Sequence, residues 1–262
     1  MSVSVVLCAG VCRPHQGGEG QEDAGEGSHP HANQAPSTSG LCYYLPHHCV
    51  FKDSTTTKLR VVFDASSKSP NGKSLNDCLL LGPRLQDDVF DILIRFRLHQ
   101  YALSADIAKM YRQVALDESD RDFHRILWRD YVTDQIQELR MTRVTYGVGS
   151  SSYHSTRALQ ECGKAHSPNP NTANVILNDF WVDDLLSGSD TLEEACKLKD
   201  ELIQTLNKNC LPSRKWSYEP QLITRLPKEL QEAGKAYEIQ DKTHQIKTLG
   251  LTWHPLKTTL SI

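Results

Sequence analysis

The sequence lacks several features that would place it in a common class at once. Its eight cysteines form no C-x-x-C pair and no regular framework, so neither a disulfide scaffold nor a standard zinc site is indicated. No apolar run approaches the ~18 residues of a membrane span, and no internal repeat occurs. The formal net charge is only −3, so the chain as a whole lacks the basic signature of nucleic-acid binding. We therefore expect a soluble, intracellular, cytoplasmic protein with reduced thiols and no membrane partner.

The first 41 residues differ in composition from the rest. They carry one arginine against four acidic side chains and are rich in Gly, Ser, His and Pro, as in "QGGEGQEDAGEGSHPHANQAPSTSG". Such a segment cannot bury enough apolar surface to offset the entropy lost on ordering. The composition predicts a disordered tail over residues 1–41 and a folded domain over residues 42–262.

The folded part mixes strand and helix patterns without a regular βαβ alternation. Extended segments are predicted at "CYYLPHHCVF", "KLRVVFDAS", "YALSADI", "HRILW", "IQELRMTRVTYG" and "IKTLGLTWHP". Helices are predicted at "RLQDDVFDILIRFRLHQ", at "SSSYHSTRALQEC" and after Thr191, where Glu194 indicates a capping box. "ANVILNDFWV" and "LLSG" are predicted to be the two arms of a hairpin. This pattern favours an α+β domain with helices on one face of an antiparallel sheet.

Two adjacent carboxylates interrupt the apolar run "FWVDDLLSG". Burying unpaired Asp183 and Asp184 would be costly, unless a cation lies between them. Asp106 ends another apolar strand, and three such carboxylates could hold two Mg²⁺ ions for phosphoryl transfer. The doublet Asp87-Asp88, at a helix start, shows that such pairs are also common without a function. From these residues alone, a structural doublet, a nuclease and a polymerase all remain open.

Several longer motifs together resemble a known family. "ALSADIAKMYRQV", "VTYGVGSSSYHSTRALQ", "FWVDDLLSG" and "TLGLTWHP" stand in the order of the reverse-transcriptase palm motifs. The segment from "YLPHHCVF" to "ILIRFR" is similar to the Bel/Pao class of long-terminal-repeat retrotransposons almost throughout. Trp181 replaces the usual tyrosine of Tyr-x-Asp-Asp, and Ser152 stands where the family usually has proline. The resemblance implies the fingers and palm subdomains of a right-hand polymerase.

The resemblance also implies a metal site. Asp106, Asp183 and Asp184 match the catalytic, metal-binding triad of the family. Ile107 could add a backbone carbonyl to the metal on the nucleotide side. The cofactors implied are two Mg²⁺ ions, or Mn²⁺ in their place.

Five further residues match positions that contact the nucleotide. Arg60 matches the arginine that holds the triphosphate, and Lys52 its lysine partner. Tyr111 matches the aromatic gate under the incoming sugar, which excludes a 2′-hydroxyl. Tyr146 and Gly147 match the loop that touches template and nucleotide. The partners implied are deoxynucleoside triphosphates and an RNA or DNA template with its primer.

The segment "LGLTWHP" resembles the primer grip, with Leu249, Gly250 and Trp253 as its residues. Because the chain ends a few residues later, we expect a domain without a thumb. The function implied is RNA-directed DNA polymerase activity. An alternative is a catalytically silent fragment derived from a retroelement, with at most weak nucleic-acid binding; the near-neutral charge and the missing thumb favour it.

Overall fold

The computed structural model describes residues 31–36, 40–51 and 59–218, and three short strands within residues 246–261. The chain divides into two compact units. The first contains residues 1–83 and 111–155, and the second contains residues 84–110 and 156–262.

The first unit is built on two small antiparallel sheets. One sheet has the strand order β1-β6-β5, with β1 at Ala32–Gln34, β5 at Arg125–Trp128 and β6 at Gln137–Met141. The other pairs β2 (His47–Phe51) with β3 (Leu59–Phe63). Helices α1 (Leu75–Cys78) and α3 (Met110–Gln113) and the 3-10 helix Glu118–His124 connect these strands. The core is a cluster of buried apolar side chains: Leu45, Phe63, Ala65, Leu75, Ile126, Leu139 and Val148.

The second unit is built on a four-stranded antiparallel sheet of order β7-β8-β4-β9. These strands are β4 (Tyr101–Ile107), β7 (Phe180–Trp181), β8 (Asp184–Ser189) and β9 (Ser213–Tyr218). Its helices are α2 (Val89–Leu98), α4 (Ser151–His166, with its first turn in the first unit), α5 (Pro170–Asn178) and α6 (Leu192–Lys208). A further antiparallel sheet joins β10 (Ile246–Thr248), β11 (Leu251–His254) and β12 (Thr259–Ser261).

Side-chain alternation along β4 divides the core of the second unit between the two faces of the sheet. Leu103, Ala105 and Ile107 pack with buried residues of α4, α5 and α6. Ala102 packs on the other face, with Ile92 and Phe96 of α2. The α+β class with an antiparallel sheet is confirmed, and three helices share one face as predicted. Helix α2 departs from the prediction because its apolar side chains cover the opposite face.

Helices α6 and α5 begin at residues whose side chains are typical helix caps. Thr191 caps α6 by accepting from the Glu194 backbone N–H, which is one half of the predicted capping box. The Glu194 carboxylate accepts from the Thr191 and Ser189 hydroxyls. Asn169 caps α5, and Pro170 occupies the first turn. The prediction of an extended arm over residues 173–178 is wrong, because this segment belongs to α5. Only β7 and β8 form the hairpin.

The predicted tail boundary also needs correction. Strand β1 lies inside residues 1–41 and pairs with β6 over three residues, Ala32 opposite Met141. Backbone hydrogen bonding to the edge of β6 orders this polar segment without a large apolar face. Residues 1–30 lie outside the described residues. None of the described helices is long and apolar enough to cross a membrane.

Candidate carboxylate site

The central strands of the second unit bring two of the predicted carboxylates face to face. Asp106, near the end of β4, is the cross-strand partner of Asp184, the first residue of β8. Directly opposed residues have Cβ atoms roughly 4.5–5.5 Å apart and project from the same face. Both residues are half-buried. The antiparallel register therefore places two like charges side by side.

Asp183 completes the group from the turn between β7 and β8. Its carbonyl oxygen accepts a hydrogen bond of 2.8 Å from the backbone N–H of Ile107. Val182, just before it, has φ +55°, a left-handed conformation that is an outlier for a β-branched residue. This turn places Asp183, Asp184 and Asp106 at one end of the sheet, with Ile107 beside them.

The electrostatics reflect this crowding. Burial, together with the nearby Asp183 and Asp106, raises the pKa of the Asp184 carboxyl to about 6. The pKa of Asp183 is also raised, mainly by burial and then by Asp106. Ionised carboxylates are disfavoured when they are desolvated next to like charges. The site would therefore gain from a cation.

Two basic residues of β9 already supply positive charge to one member of the group. The Nε atom of Arg214 donates to Oδ1 of Asp106 at 2.9 Å, and Nζ of Lys215 lies 3.6 Å from Oδ2. Arg214 is the register partner of Asp106 across β4 and β9. The sequence reasoning missed both residues, although the alternation in "SRKWSY" is a strand signal.

The carboxylates of Asp106, Asp183 and Asp184 are chemically suited to bind a hard divalent cation. Three clustered carboxylates supply the oxygen ligands that Mg²⁺ and Mn²⁺ prefer. Within the described ranges, no group of three or more His, Cys, Asp or Glu side chains is arranged ready to hold a metal ion. Since Arg214 occupies Oδ1 of Asp106, a metal bound to this oxygen would compete with the arginine.

Both residues of the second acidic doublet, Asp87 and Asp88, have structural roles. The Asp88 side chain caps α2 by accepting from the Phe90 N–H and pairs with Arg84 at 3.0 Å. Asp87 pairs with Arg95 at 2.9 Å. The prediction that this doublet stands at a helix start is confirmed for Asp88.

The first unit carries four of the residues predicted to contact a nucleotide. Arg60 is exposed on β3, and Tyr111 is half-buried in α3. The Tyr146 hydroxyl donates to the carbonyl of Val61 and accepts from Arg112 at 3.3 Å. Tyr146 therefore holds the hairpin of β2 and β3, a structural role beside the predicted one.

Gly147 has a clear structural requirement. Its φ is +86°, and a Cβ atom there would lie 2.2 Å from the backbone oxygen of Phe63. Glycine is needed at this position to allow both the conformation and the close approach.

The remaining predicted residues are Lys52 and those of the segment that resembles the primer grip. Lys52, Leu249 and Gly250 lie outside the described residues. Trp253 belongs to β11, opposite Ile246 of β10. The predicted strand or hairpin at "IKTLGLTWHP" is therefore confirmed for its backbone.

No protein-family model and no curated protein matches the sequence. Solved structures do match. The foamy viral protease-reverse transcriptase in complex with dsDNA is similar with a TM-score of 0.58 and 15% identity, over 89% of this chain and 38% of that chain. The same kind of protein in complex with an RNA/DNA hybrid gives 0.54 and 13% identity, over 85% and 24%. The native Prototype Foamy Virus protein gives 0.50 and 18%, over 68% and 20%.

These similarities show a fold like that of reverse transcriptases. The chain spans between 20% and 38% of the length of these three structures.

Proposed function

We propose that this chain is the fingers and palm part of an RNA-directed DNA polymerase of the Bel/Pao class of retrotransposons. The observation that carries the proposal is the pairing of Asp106 with Asp184 across β4 and β8, with Asp183 in the adjoining turn. The fold, which is like that of reverse transcriptases, supports it. The position of the acidic group at one end of the central sheet is a second support. The motifs that resemble the Bel/Pao class support the finer assignment.

Within this proposal, Asp106, Asp183 and Asp184 hold two Mg²⁺ ions, with the Ile107 carbonyl as a further ligand. When bound, such a pair of ions stabilises the attacking and leaving oxygens of nucleotidyl transfer. The chain's own part is to fix the carboxylates by strand register and turn geometry. The half-buried setting strengthens their hold on a cation because little water competes.

The other residues of the proposal bind the substrates. Arg60 and Lys52 pair with the triphosphate, and Tyr111 lies under the sugar. Tyr146 and Gly147 line the path of the template and nucleotide.

The primer end is the remaining substrate. Leu249, Gly250 and Trp253 hold it in the proposed complex. The neighbours' structures contain dsDNA or an RNA/DNA hybrid, and we propose a primed RNA or DNA template as the partner here.

A second candidate is a silent retroelement-derived domain with at most weak nucleic-acid binding. The observation that favours it is the pairing of Arg214 and Lys215 with Asp106. In this case Arg214 and Lys215 permanently offset the charge of Asp106, and the fold needs no metal.

Metal-dependent stability separates the two candidates. For the polymerase, Mn²⁺ at ~10–100 times its Kd should raise the free energy of unfolding by roughly 1–3 kcal/mol. Asp106→Asn and Asp183→Asn should each remove this gain. Asp190→Asn, an exposed carboxylate of the same unit, should keep it.

Primer extension with Mg²⁺ on a primed RNA template is the matching activity assay. Incorporation should occur with the parent protein and be absent in the two Asn variants of the acidic group. A parent protein that Mn²⁺ does not stabilise and that extends no primer would refute the polymerase and leave the silent domain.

A further inference from the structure

The hairpin that carries Asp183 and Asp184 is weakly defined by its own hydrogen bonds. Strand β7 has two residues and lies at the edge of its sheet. Its turn holds Val182 at φ +55°, a conformation that persists only where the surroundings impose it. Contacts from outside the hairpin must therefore fix its position.

Gln86 provides such a contact at the turn. Its Nε2 atom donates to the Phe180 carbonyl at 2.9 Å, and its Oε1 atom accepts from the Val182 N–H at 3.3 Å. Residues 180 and 182 present their backbone groups on the same edge of β7. One amide side chain thus takes the place of a neighbouring strand.

Asp179 fixes the other end of the hairpin. This buried residue follows α5 and precedes β7. Its Oδ2 atom accepts from the Ser187 hydroxyl at 2.7 Å, and its carbonyl accepts from the Leu186 N–H at 2.9 Å. Both partners belong to β8, so Asp179 ties the two arms together.

Arg95 joins this end to α2. Its Nε atom donates to Oδ1 of Asp179 at 3.2 Å, and its guanidinium also donates to the Asn178 carbonyl. Its Nη1 atom donates to Asp87 at 2.9 Å. A planar guanidinium with several donors is suited to such a multiple contact, and lysine is not.

We propose that Gln86 and Arg95 are positioning residues that set the carboxylates of Asp183 and Asp184. This inference rests on the proposed function for its metal readout. Neither side chain belongs to the acidic group, yet both hold the backbone from which it projects. The stretch from Gln86 to α2 thereby acts as a brace for the turn.

Gln86→Met tests the proposal with a side chain of similar length that has no amide. Gln137→Met, on the exposed β6 of the first unit, is the matched control. Hydrogen exchange should become roughly tenfold faster at the Val182 amide, because local opening then needs no broken bond to Gln86. The midpoint of global urea unfolding should stay within error. The Mn²⁺ dissociation constant, measured by electron-spin resonance, should rise about three- to tenfold, since loosely held ligands bind less well.

Arg95→Met removes the ion pair of the buried Asp179 and could unfold the chain, so Gln86→Met decides the question. Unchanged exchange at residues 180–187, or an equal increase throughout the second unit, would overturn the proposal. The hydrogen-exchange measurement needs no metal. A parent protein that binds no Mn²⁺ would refute the proposed function alone, while exchange still decides whether Gln86 positions the turn.

Discussion

Removal of the Arg214 side chain should lower the stability of the metal-free protein but strengthen its binding of metal. The Nε atom of Arg214 lies 2.9 Å from Oδ1 of Asp106, and the two side chains are 49% and 17% exposed. Partly exposed pairs of this kind contribute about 0.5–1 kcal/mol. Since a 1 kcal/mol change shifts the melting temperature by about 2–4 °C in a chain of this size, Arg214→Gln should lower it by about 1–4 °C in EDTA.

The same substitution should tighten metal binding. In the parent protein a metal that binds Oδ1 of Asp106 competes with Arg214, and the variant avoids this cost. A gain of about 0.5–1 kcal/mol corresponds to a roughly two- to fivefold lower Mn²⁺ dissociation constant. Saturating Mn²⁺ should therefore restore most of the stability that the variant loses in EDTA.

Calorimetric titration with Mn²⁺ and thermal unfolding in EDTA or Mn²⁺ measure both effects. Arg157→Gln is the control, because Arg157 pairs with Glu161 at 2.9 Å with similar exposure. It should lower the melting temperature slightly and equally in both conditions. If Arg214→Gln binds Mn²⁺ no more tightly than the parent, Arg214 does not compete with metal at Asp106.

Four other predictions concern single residues. Because the pKa of Asp184 is raised to about 6, the folded chain holds this proton more tightly than the unfolded chain. The contribution of Asp184 to metal-free stability should then fall by on the order of 2 kcal/mol as pH rises from about 4 to 6, and the difference between the parent and Asp184→Asn in urea unfolding measures it. Burial lowers the pKa of His124 to about 4, so the contribution of this residue has the opposite sign and falls as pH drops from 6.5 towards 4; the difference between the parent and His124→Leu measures it. Gly147→Ala should cost about 1–3 kcal/mol more in urea unfolding than Gly72→Ala, which has the same sign of φ but open space around it. Tyr111→Val should raise the use of ribonucleotides relative to deoxyribonucleotides in primer extension, and an unchanged ratio would remove Tyr111 from the gate role.

The elements with strong local signals could be predicted from the sequence. Helix α6 has a capping threonine and an apolar stripe, and its Ala195, Leu198 and Leu202 are buried as expected. Helix α2 and strand β4 follow equally clear periodicities. In such segments local propensity and tertiary packing favour the same structure.

The errors arose where local patterns were ambiguous. The run "NVILN" suits a buried strand or one turn of a buried helix, and apolar content alone cannot distinguish them. The cap at Asn169 and the proline after it were the signal for α5. Strand β1 could not be predicted, because its order depends on pairing with a distant edge and not on its own side chains.

The acidic residues of the candidate site could be predicted from the sequence, but the residues that contact and support them could not. The acidic residues stand out because charge interrupts apolar runs. Arg214 and Lys215 do not stand out, because their pairing with Asp106 depends on strand order across a separation of 108 residues. The brace formed by Gln86 and Arg95 depends on such distant contacts too.

The bulge in β9, opposite β4, limits which insertions and deletions the strand can tolerate during evolution. Between Ser104 and Asp106 the ladder skips one residue on β4, while two residues, Lys215 and Trp216, lie opposite it on β9. Lys215 has φ +51° there, so this bulge holds a residue other than glycine in the left-handed region. Losing or gaining one residue at this point would reverse which side chains face the core, separating Arg214 from Asp106 or exposing Trp216. Point mutations can accumulate in this strand, but changes in length cannot, so an alignment of relatives that share the arrangement should contain no gap at Lys215.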